Sequence, residues 1–599
     1  MKAVKRVKST CVLLLVLETF VWLILASQQV NCGCTLAASQ MSCESRLDLK
    51  ASFAQAYSEG LTSDTLTTCS RWAAHRRVMT GDFAGPYSWE HHPWVKEMHD
   101  SWTGYTWIQK AAQLGITEAA INRALYTIDR VKRDVLYVMP TMLNASDFSK
   151  SRFGPALDNS PYLKSIFTDT NAINLKRAGA HCLYIRGTRG DSNLKSIPVS
   201  ELILDELDEM EEKQIGLAMT RLDGQLEKHV WGLSTPTVPG YGINKLFSGS
   251  TQEHFMFQCP HCSRWTELVW PDCVEIIGEH TTDKRCVESY LKCKECHAKL
   301  DHALKPEWLA SAKWEPTYKT NLNVRGFYIN QLYSFTVTPG ELVVGHFRGY
   351  GDEFAAAEFF NSRLGLPFLG DGAKVNDKQL QRAVKGYLME DERPERGNRL
   401  ITLGVDQGKT NYAVVAEWLL TKEPDKDLGA AAICKVLYAG TFMDEEWDRL
   451  DELMREWQVL FCVIDADPQI NEARRFARQY PGYVGLCRYR RGKVAKEIIE
   501  TEDDTGVVML TCDRTSWLTT ALGRFKPNPP RIWLPRDIPR QFCEQVQNLV
   551  RKPEKDSHGD VHNTYVETGP DHFGHALCYA GIALTKAVSA GSQNIAKFM

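Results

Sequence analysis

Val199-Ser200-Glu201-Leu202-Ile203-Leu204-Asp205-Glu206 is an apolar run that stops abruptly on two adjacent carboxylates. Such a run is the pattern of a strand buried in a parallel sheet. Open α/β sheets bind ligands at the C-terminal edge of their strands, where Asp205 and Glu206 fall. One acid there can hold Mg²⁺ and its neighbour can polarise a water, the two tasks of nucleotide hydrolysis. Asp208, Glu209, Glu211 and Glu212 follow, so the stretch reads equally well as a strand running into an acidic loop. Alone, the segment leaves both readings open.

Outward from it, strand-like runs recur at residues 107–110, 135–139, 182–186 and 229–233, with a helical pattern over 118–130. Strands alternating with helices predict a parallel α/β sheet. Residues 47–63 have the pattern of an amphipathic helix, and 81–86 form a turn-rich break. The texture changes near Phe255, where paired cysteines and aromatics gather, and a polar linker fills 389–399. A second α/β unit opens with Leu400-Ile401-Thr402-Leu403-Gly404-Val405-Asp406. It continues through 432–438 and 459–464 and ends in an apolar helix over 572–587. No tandem repeat is visible.

The chain has 599 residues, too many for one core. With 43% hydrophobic and 24% charged residues it has the composition of a folded globular protein. A net charge of -3 excludes a globally basic nucleic-acid coat but not a local basic groove. Arg474-Arg475-Phe476-Ala477-Arg478 and Arg488-Tyr489-Arg490-Arg491-Gly492-Lys493 are candidates for phosphate contact and stacking; a solvated surface is the alternative. Most of the 18 cysteines are scattered, which suits a reducing compartment better than a disulfide framework. Lys2, Lys5, Arg6 and Lys8 precede an apolar run over 11–26 that Glu18 and Thr19 interrupt. An export signal, a membrane anchor, and residues upstream of the true start all fit it. The run is short for a spanning helix, and nothing after Arg46 has a secreted texture, so the third reading is preferred.

If Asp205 and Glu206 serve nucleotide hydrolysis, a phosphate loop must lie upstream. Lys110-Ala111-Ala112-Gln113-Leu114-Gly115-Ile116-Thr117 sits between an expected strand and an expected helix. Backbone amides and the helix start would cradle phosphates, and the Thr117 hydroxyl would meet Mg²⁺. The usual pattern has a lysine before the Ser or Thr; here Ile116 stands there and Lys110 is the nearby lysine. A strand-turn-helix with an incidental lysine is the alternative.

Cys259-x-x-Cys262 and Cys293-x-x-Cys296 are the strongest local signal. Four thiolates in two tight knuckles make a closed, structural Zn²⁺ site. His261 and His297 are possible substitutes for one ligand; Cys273 and Cys286 are expected to be bystanders.

These segments, taken in order, resemble the large subunit of a tailed-phage terminase, a DNA-packaging motor, of the lambda-like branch. The resemblance rests on Gly85-Pro86-Tyr87-Ser88, the 110–117 loop, Val138-Met139-Pro140-Thr141, Leu204-Asp205-Glu206-Leu207-Asp208 and Leu233-Ser234-Thr235-Pro236-Thr237. Further matches are Cys259-Pro260-His261-Cys262, the stretch from Arg325 to Tyr333, Gly404-Val405-Asp406 and Asp571-His572-Phe573-Gly574-His575-Ala576. It implies a multidomain α/β protein. An N-terminal phosphate-loop ATPase of the additional-strand type would carry a zinc-ribbon-like insertion and precede a C-terminal RNase H-like nuclease. The expected division is a signal-like or spurious segment at 1–45, the ATPase at 46–255, a zinc-ribbon-like and connecting region at 256–335, a linker at 336–399 and the nuclease at 400–599.

The resemblance also implies roles. Lys110, at the front of the loop, becomes the phosphate lysine, with Gln113, Gly115 and Thr117 in the same nucleotide site. Asp205 holds the water shell of Mg²⁺ and Glu206 activates the attacking water. Ser234 and Thr235 fall at the coupling motif, and no arginine finger is assigned. Asp406, Asp465 and Asp571 each stand at an element end and form the expected nuclease set for two Mg²⁺ or Mn²⁺ ions. Asp467 is an alternative ligand, and His572 and His575 either support the site or pack. Implied cofactors are ATP, Mg²⁺ or Mn²⁺, and structural Zn²⁺. Implied partners are double-stranded DNA, a small terminase subunit and a portal, with a homo-oligomeric ring on the portal in the host cytoplasm and no membrane association. Rival readings are a helicase-like translocase fused to a nuclease, and a catalytically weakened DNA-binding or assembly protein.

Overall fold

The computed structural model describes residues 67–168, 170–188, 191–319, 321–392, 399–420, 432–490, 498–555 and 561–595. The segment at 1–45 and the helix expected at 47–63 lie outside them. No helix among the described residues is long and apolar enough to cross a membrane.

The first sheet has eleven strands. Its parallel centre consists of β1 (Tyr105–Lys110), β2 (Val135–Met139), β3 (His181–Gly187), β4 (Glu201–Asp205), β5 (His229–Ser234), β6 (Glu253–Gln258) and β7 (Val324–Ile329). They lie in the order β6-β7-β1-β5-β4-β2-β3. Antiparallel strands extend both edges: Leu175–Ala178 and Thr170–Ala172 beyond β3, and Trp265–Thr266 and Lys313–Pro316 on β6. Strand β4, the opening stretch of the sequence, is hydrogen-bonded on both sides and buried along its length, so its sequence does not alternate.

Its two faces still do different things. Leu202 and Leu204 pack with Trp107, Leu136, Val138 and Val230. Glu201 meets Arg123 of α1 (Ile116–Tyr126), so Glu201, Ile203 and Asp205 share the face toward that helix. Register places Gln109 opposite Ser234 and Asp205 opposite Leu233. Lys110, Asp205 and Ser234 therefore line one edge of adjacent strands.

Residues between β6 and β7 form a lobe with its own three-stranded sheet, Val274–Glu275, Tyr290–Lys292 and Lys299–Leu300. The stretch expected to link the two halves carries helices Pro339–Arg348, Glu353–Glu358 and Asp377–Ala383, the first and last closed by capping boxes.

The second sheet has eight strands. Strands β8 (Ile401–Asp406), β9 (Thr410–Leu419) and β10 (Ile433–Met443) form an antiparallel meander. On the other side of β8 lie β11 (Phe461–Asp465), β12 (Val484–Arg490) and β13 (Val508–Asp513), all parallel to it. Ile401, Leu403, Val405, Cys462 and Ile464 face one core, with helices Trp447–Glu456 and Ile470–Gln479. Phe461 and Val463 face the other, beneath α3 (His572–Ile595), which follows α2 (Arg514–Gly523) in the chain.

Helix α3 crosses β8 at backbone distance. A Cβ on Gly404 would lie 2.0 Å from Ala576 O and 2.2 Å from Ala580 N. Beside it, Thr402 Oγ1 donates to Ala580 O at 2.8 Å and accepts from Trp418 Nε1 at 2.7 Å. The alanines of α3 and Gly404 thus set the height of the helix above the sheet. Between β14 (Leu549–Lys555) and β15 (Val561–Glu567), a two-stranded ladder joins the second unit to the first. Val550 and Val566 pack with Val238 and Tyr241, and Lys552 Nζ lies 3.8 Å from Glu209.

Gly404→Val leaves no position for the added carbons without lifting α3, and is expected to cost more than about 3 kcal/mol. Gly581→Ala, whose Cβ would meet only Trp418 at 3.8 Å, should be neutral or stabilising by up to about 1 kcal/mol. Denaturant unfolding of the two variants separates close approach from a general intolerance of change in α3.

Candidate functional site

At the edge of the first sheet, β1 ends on Lys110 and turns into α1 through residues 111–115. Gln113 has φ 59° and Gly115 has φ 74°, two left-handed residues that reverse the chain onto the helix start. The loop is braced from several sides. Ala112 N donates to Ser362 O at 2.7 Å, Trp94 Nε1 donates to Leu114 O at 2.8 Å, and Gln331 Nε2 donates to Ala112 O at 2.9 Å. The first-turn amides of α1 have no intrahelical acceptor, so an anion is favoured there. Thr117 is half-buried in that first turn. Ile116, where a lysine was sought, is 1% exposed and belongs to the core.

Lys110 Nζ reaches Glu206 Oε1 at 3.3 Å. Glu206 has φ 58°, a left-handed conformation that is strained in a residue with a side chain. Asp205 is buried: Oδ2 accepts from Tyr137 OH at 2.6 Å, while the buried Oδ1 accepts no hydrogen bond of normal geometry. Burial first, and the Glu206 charge second, push its carboxyl up to about 6. A lysine, an orphaned carboxylate oxygen and a helix start on one edge suit a polyphosphate with its cation.

The acids that follow divide. Asp208 is a buried bracket: Oδ2 accepts from Thr237 N and Thr237 Oγ1 at 2.8 and 2.9 Å, and Oδ1 accepts from Ile243 N at 2.7 Å. Ser234 Oγ accepts from Asp208 N at 3.2 Å, tying the end of β5 to the turn after β4. Thr235 is half-buried beside it. Glu211 and Glu212 are exposed.

The four paired cysteines converge, with all four sulfurs within 4.8 Å of one another and Cys259 Sγ 3.9 Å from Cys296 Sγ. Tetrahedral Zn–S bonds require sulfurs about 3.8 Å apart. Both knuckles are hairpin turns with matching details. His261 N donates to Cys259 Sγ and Glu295 N to Cys293 Sγ, at 3.4 and 3.3 Å. Ser263 and His297, each following the second cysteine, have φ 56° and 59°. His261 Nε2 pairs with Lys299 O at 3.0 Å, outside the sulfur cluster. Cys273 and Cys286 bond to the carbonyls of Glu267 and His280. No disulfide joins two of the described cysteines.

In the second sheet, Val405 stands opposite Ile464, so the next residues, Asp406 and Asp465, are neighbours at the C-terminal ends of parallel strands. Alternation turns both toward the face that α3 covers. Burial, then the Asp406 charge, pushes Asp465 up to about 6. Asp571 is buried immediately before α3. His572 Nδ1 lies 2.8 Å from Asp406 Oδ2, and its ring stacks on Tyr412. Asp467 is turned out to Arg488, at 3.0 Å.

The basic stretches are less free than their composition suggested. Arg474 pairs with Asp503 and Arg475 with Glu472, both at 2.6 Å, while Phe476 is buried. Tyr489 stacks on Tyr579 inside the second unit. Residues 491–497 lie outside the described set. Gln331 and Arg514 were not singled out in the sequence; the only signal for Gln331 was its place in the Arg325–Tyr333 stretch, and Arg514 had none.

No curated protein matches the chain. Among solved structures it is similar to the large terminase of bacteriophage HK97, at 11% identity and a TM-score of 0.46, over 86% of this chain and 98% of that one. It is also similar to the large terminase of a thermophilic bacteriophage, at 11% identity and a TM-score of 0.29, over 84% and 99%. Two family models match in sequence order: the phage terminase large subunit gpA ATPase domain over residues 81–314, and the terminase large subunit gpA endonuclease domain over residues 324–587. The chain belongs to the phage terminase large subunit family, as an ATPase and endonuclease of the viral DNA-packaging motor.

Proposed function

We propose that Lys110, Gln113, Gly115 and Thr117 hold the phosphates of ATP, that Asp205 holds the hydrated Mg²⁺, and that Glu206 orients and deprotonates the attacking water. The Oδ1 of Asp205 carries this reading, because a buried carboxylate oxygen that accepts no hydrogen bond of normal geometry, beside Lys110 and the helix start, leaves room for a cation. Bound Mg²⁺ supplies charge neutralisation at the phosphate oxygens. Lys110 supplies a fixed positive charge at the same edge. With Ile116 in the core, Lys110 is the lysine of this site, and its contact with Glu206 favours a working motor over a relic. Ser234 and Thr235 transmit a change at the nucleotide into the Asp208 bracket and the turn at 237–241. This unit is a phosphate-loop ATPase of the additional-strand type.

The second unit is proposed as an RNase H-like nuclease. Asp406, Asp465 and Asp571 would hold Mg²⁺ or Mn²⁺, which when bound stabilise the attacking and leaving oxygens of a phosphodiester. His572 keeps Asp406 oriented. Cys259, Cys262, Cys293 and Cys296 would hold a structural Zn²⁺, making a zinc-ribbon-like lobe between β6 and β7. One expected boundary changes: β7 (324–329), assigned to the connecting region at 256–335, pairs within the first sheet and belongs to the ATPase. A nuclease at 400–599, a small terminase subunit and portal as partners, a ring on the portal, and action in the host cytoplasm complete the reading.

Lys110→Ala and Glu206→Ala should each lower DNA-stimulated ATP hydrolysis by about 10²-fold or more, with the melting temperature retained. An unmodified chain that hydrolyses no ATP in the presence of DNA and its packaging partners would overturn the motor assignment of these residues. Asp406→Ala should abolish Mn²⁺-dependent cutting and leave ATP hydrolysis intact; cutting that persists would mean that other acids hold the metal. Elemental analysis should find about one zinc per chain, lost with a drop in melting temperature in Cys293→Ser. A zinc-free chain of undiminished stability would remove the metal from this lobe.

A further inference from the structure

Asp571 is held unlike the other two acids. Its Oδ2 lies 3.0 Å from His575 Nε2 and 3.9 Å from Arg514 Nη2. Arg514, the first residue of α2, is itself fixed by β15: Nη1 donates to Tyr565 O at 2.8 Å and Nη2 to Glu567 Oε1 at 2.6 Å. His575 Nδ1 lies 3.4 Å from Tyr489 OH at the end of β12. His572 and His575 are three residues apart on α3, so they share a face, and each serves one acid: His572 for Asp406, His575 for Asp571.

We propose that Arg514 and His575 are positioning residues of the nuclease. They hold the Asp571 carboxylate fixed in orientation at the start of α3, with Glu567 and the Tyr565 carbonyl anchoring Arg514. The inference rests on the nuclease reading above. Its physical basis is geometric: a lone carboxylate at a helix start can rotate, and two directional partners on one oxygen fix it. A guanidinium stays charged throughout and can bridge two partners with one planar fork. An imidazole bonded to a ligating carboxylate fixes its direction, and removing such a partner weakens metal affinity.

Glu567, Asp571 and His575 also offer ligand atoms within 4.8 Å of one another, the spacing of a metal-binding trio. Arg514 Nη2 already stands 2.6 Å from Glu567 and 3.4 Å from His575 Nε2. A fixed cation therefore occupies this cluster, which favours a clamp on Asp571 over a separate ion site.

The test is a Mn²⁺ titration of the full chain with two readouts, binding followed by electron paramagnetic resonance and cutting of plasmid DNA. Arg514→Ala and His575→Ala should raise the Mn²⁺ concentration for half-maximal binding and cutting by roughly ten-fold or more. Cutting should recover at saturating Mn²⁺. Arg514→Lys, which keeps the charge, and His575→Gln, which keeps a donor near the Nε2 position, should fall between these and the unmodified chain. They decide the matter if the alanine variants fail to fold. A purely structural role would lower the melting temperature and leave the Mn²⁺ dependence unchanged, and that result overturns the proposal. So does a nitrogen coupling in the bound Mn²⁺ spectrum that disappears in His575→Gln, since it would make His575 a ligand. A chain that binds Mn²⁺ but never cuts would instead count against the nuclease reading, with the binding comparison still deciding the clamp.

Discussion

Arg123 and Glu201 form an ion pair at 2.7 Å with side chains 0% and 1% exposed, and the geometry of the motor half depends on it. Arg123 lies near the end of α1, the helix that begins at the phosphate loop. Glu201 is the first residue of β4, the strand that ends at Asp205. The pair fastens the far ends of these two elements, so their near ends, the loop and the acids, meet in one register. Removing two charges from water is costly. The surroundings offset part of that cost: Arg123 lies over the Trp102 ring at 3.7 Å and donates to the Ser101 carbonyl, and Thr127 Oγ1 donates to Glu201 at 3.3 Å. Against an apolar replacement such a pair contributes little net stability. What it supplies is selection, since a slipped helix would strand two buried charges.

The two active regions are built by opposite means. The nucleotide edge is made of turns. Gln113 and Glu206 both sit in left-handed conformations, and the loop at 111–115 takes its bracing from distant segments. Sites that must change shape with their ligand are commonly built this way, from local strain held by neighbours. The acids proposed for the nuclease instead sit at the ends of packed strands, or on the threshold of a helix pressed against the sheet. Cutting needs metal ligands held still, and rigid elements hold them better than loops do. The hairpin β14–β15 belongs to both regions. Alternation along β15 sends Val566 toward the turn after Ser234, while the Tyr565 carbonyl and Glu567 meet Arg514.

Much of this was legible in the sequence because strand-end acids follow from local pattern. The runs ending on Asp205, Asp406 and Asp465 are short, apolar and bounded by polar residues, and all three are strands that stop on those acids. The two Cys-x-x-Cys knuckles carry their geometry within a few residues each. The choice between catalytic pair and acidic loop could not be made locally. Asp208 proves to be a structural bracket for a turn about thirty residues away, a role that no pattern within the acidic stretch announces. Pairing across elements was equally hidden. Arg474 and Arg488, expected to face nucleic acid, have acids beside them that come from other segments, and the aromatic next to Arg488, Tyr489, points inward. The long strand β9 was missed because Glu417 interrupts its apolar pattern.

Gly404 has a use beyond this chain. Its place, two residues before a strand-end aspartate, is set by alternation: positions 402, 404 and 406 share the face that the last helix covers. The helix backbone leaves no volume there for any side chain. A glycine at that spacing therefore works as a signature of helix height in a chain too divergent for ordinary comparison. Where a related sequence carries a larger residue at the same offset, its last helix must stand farther from the sheet, and the acid before that helix moves away with it.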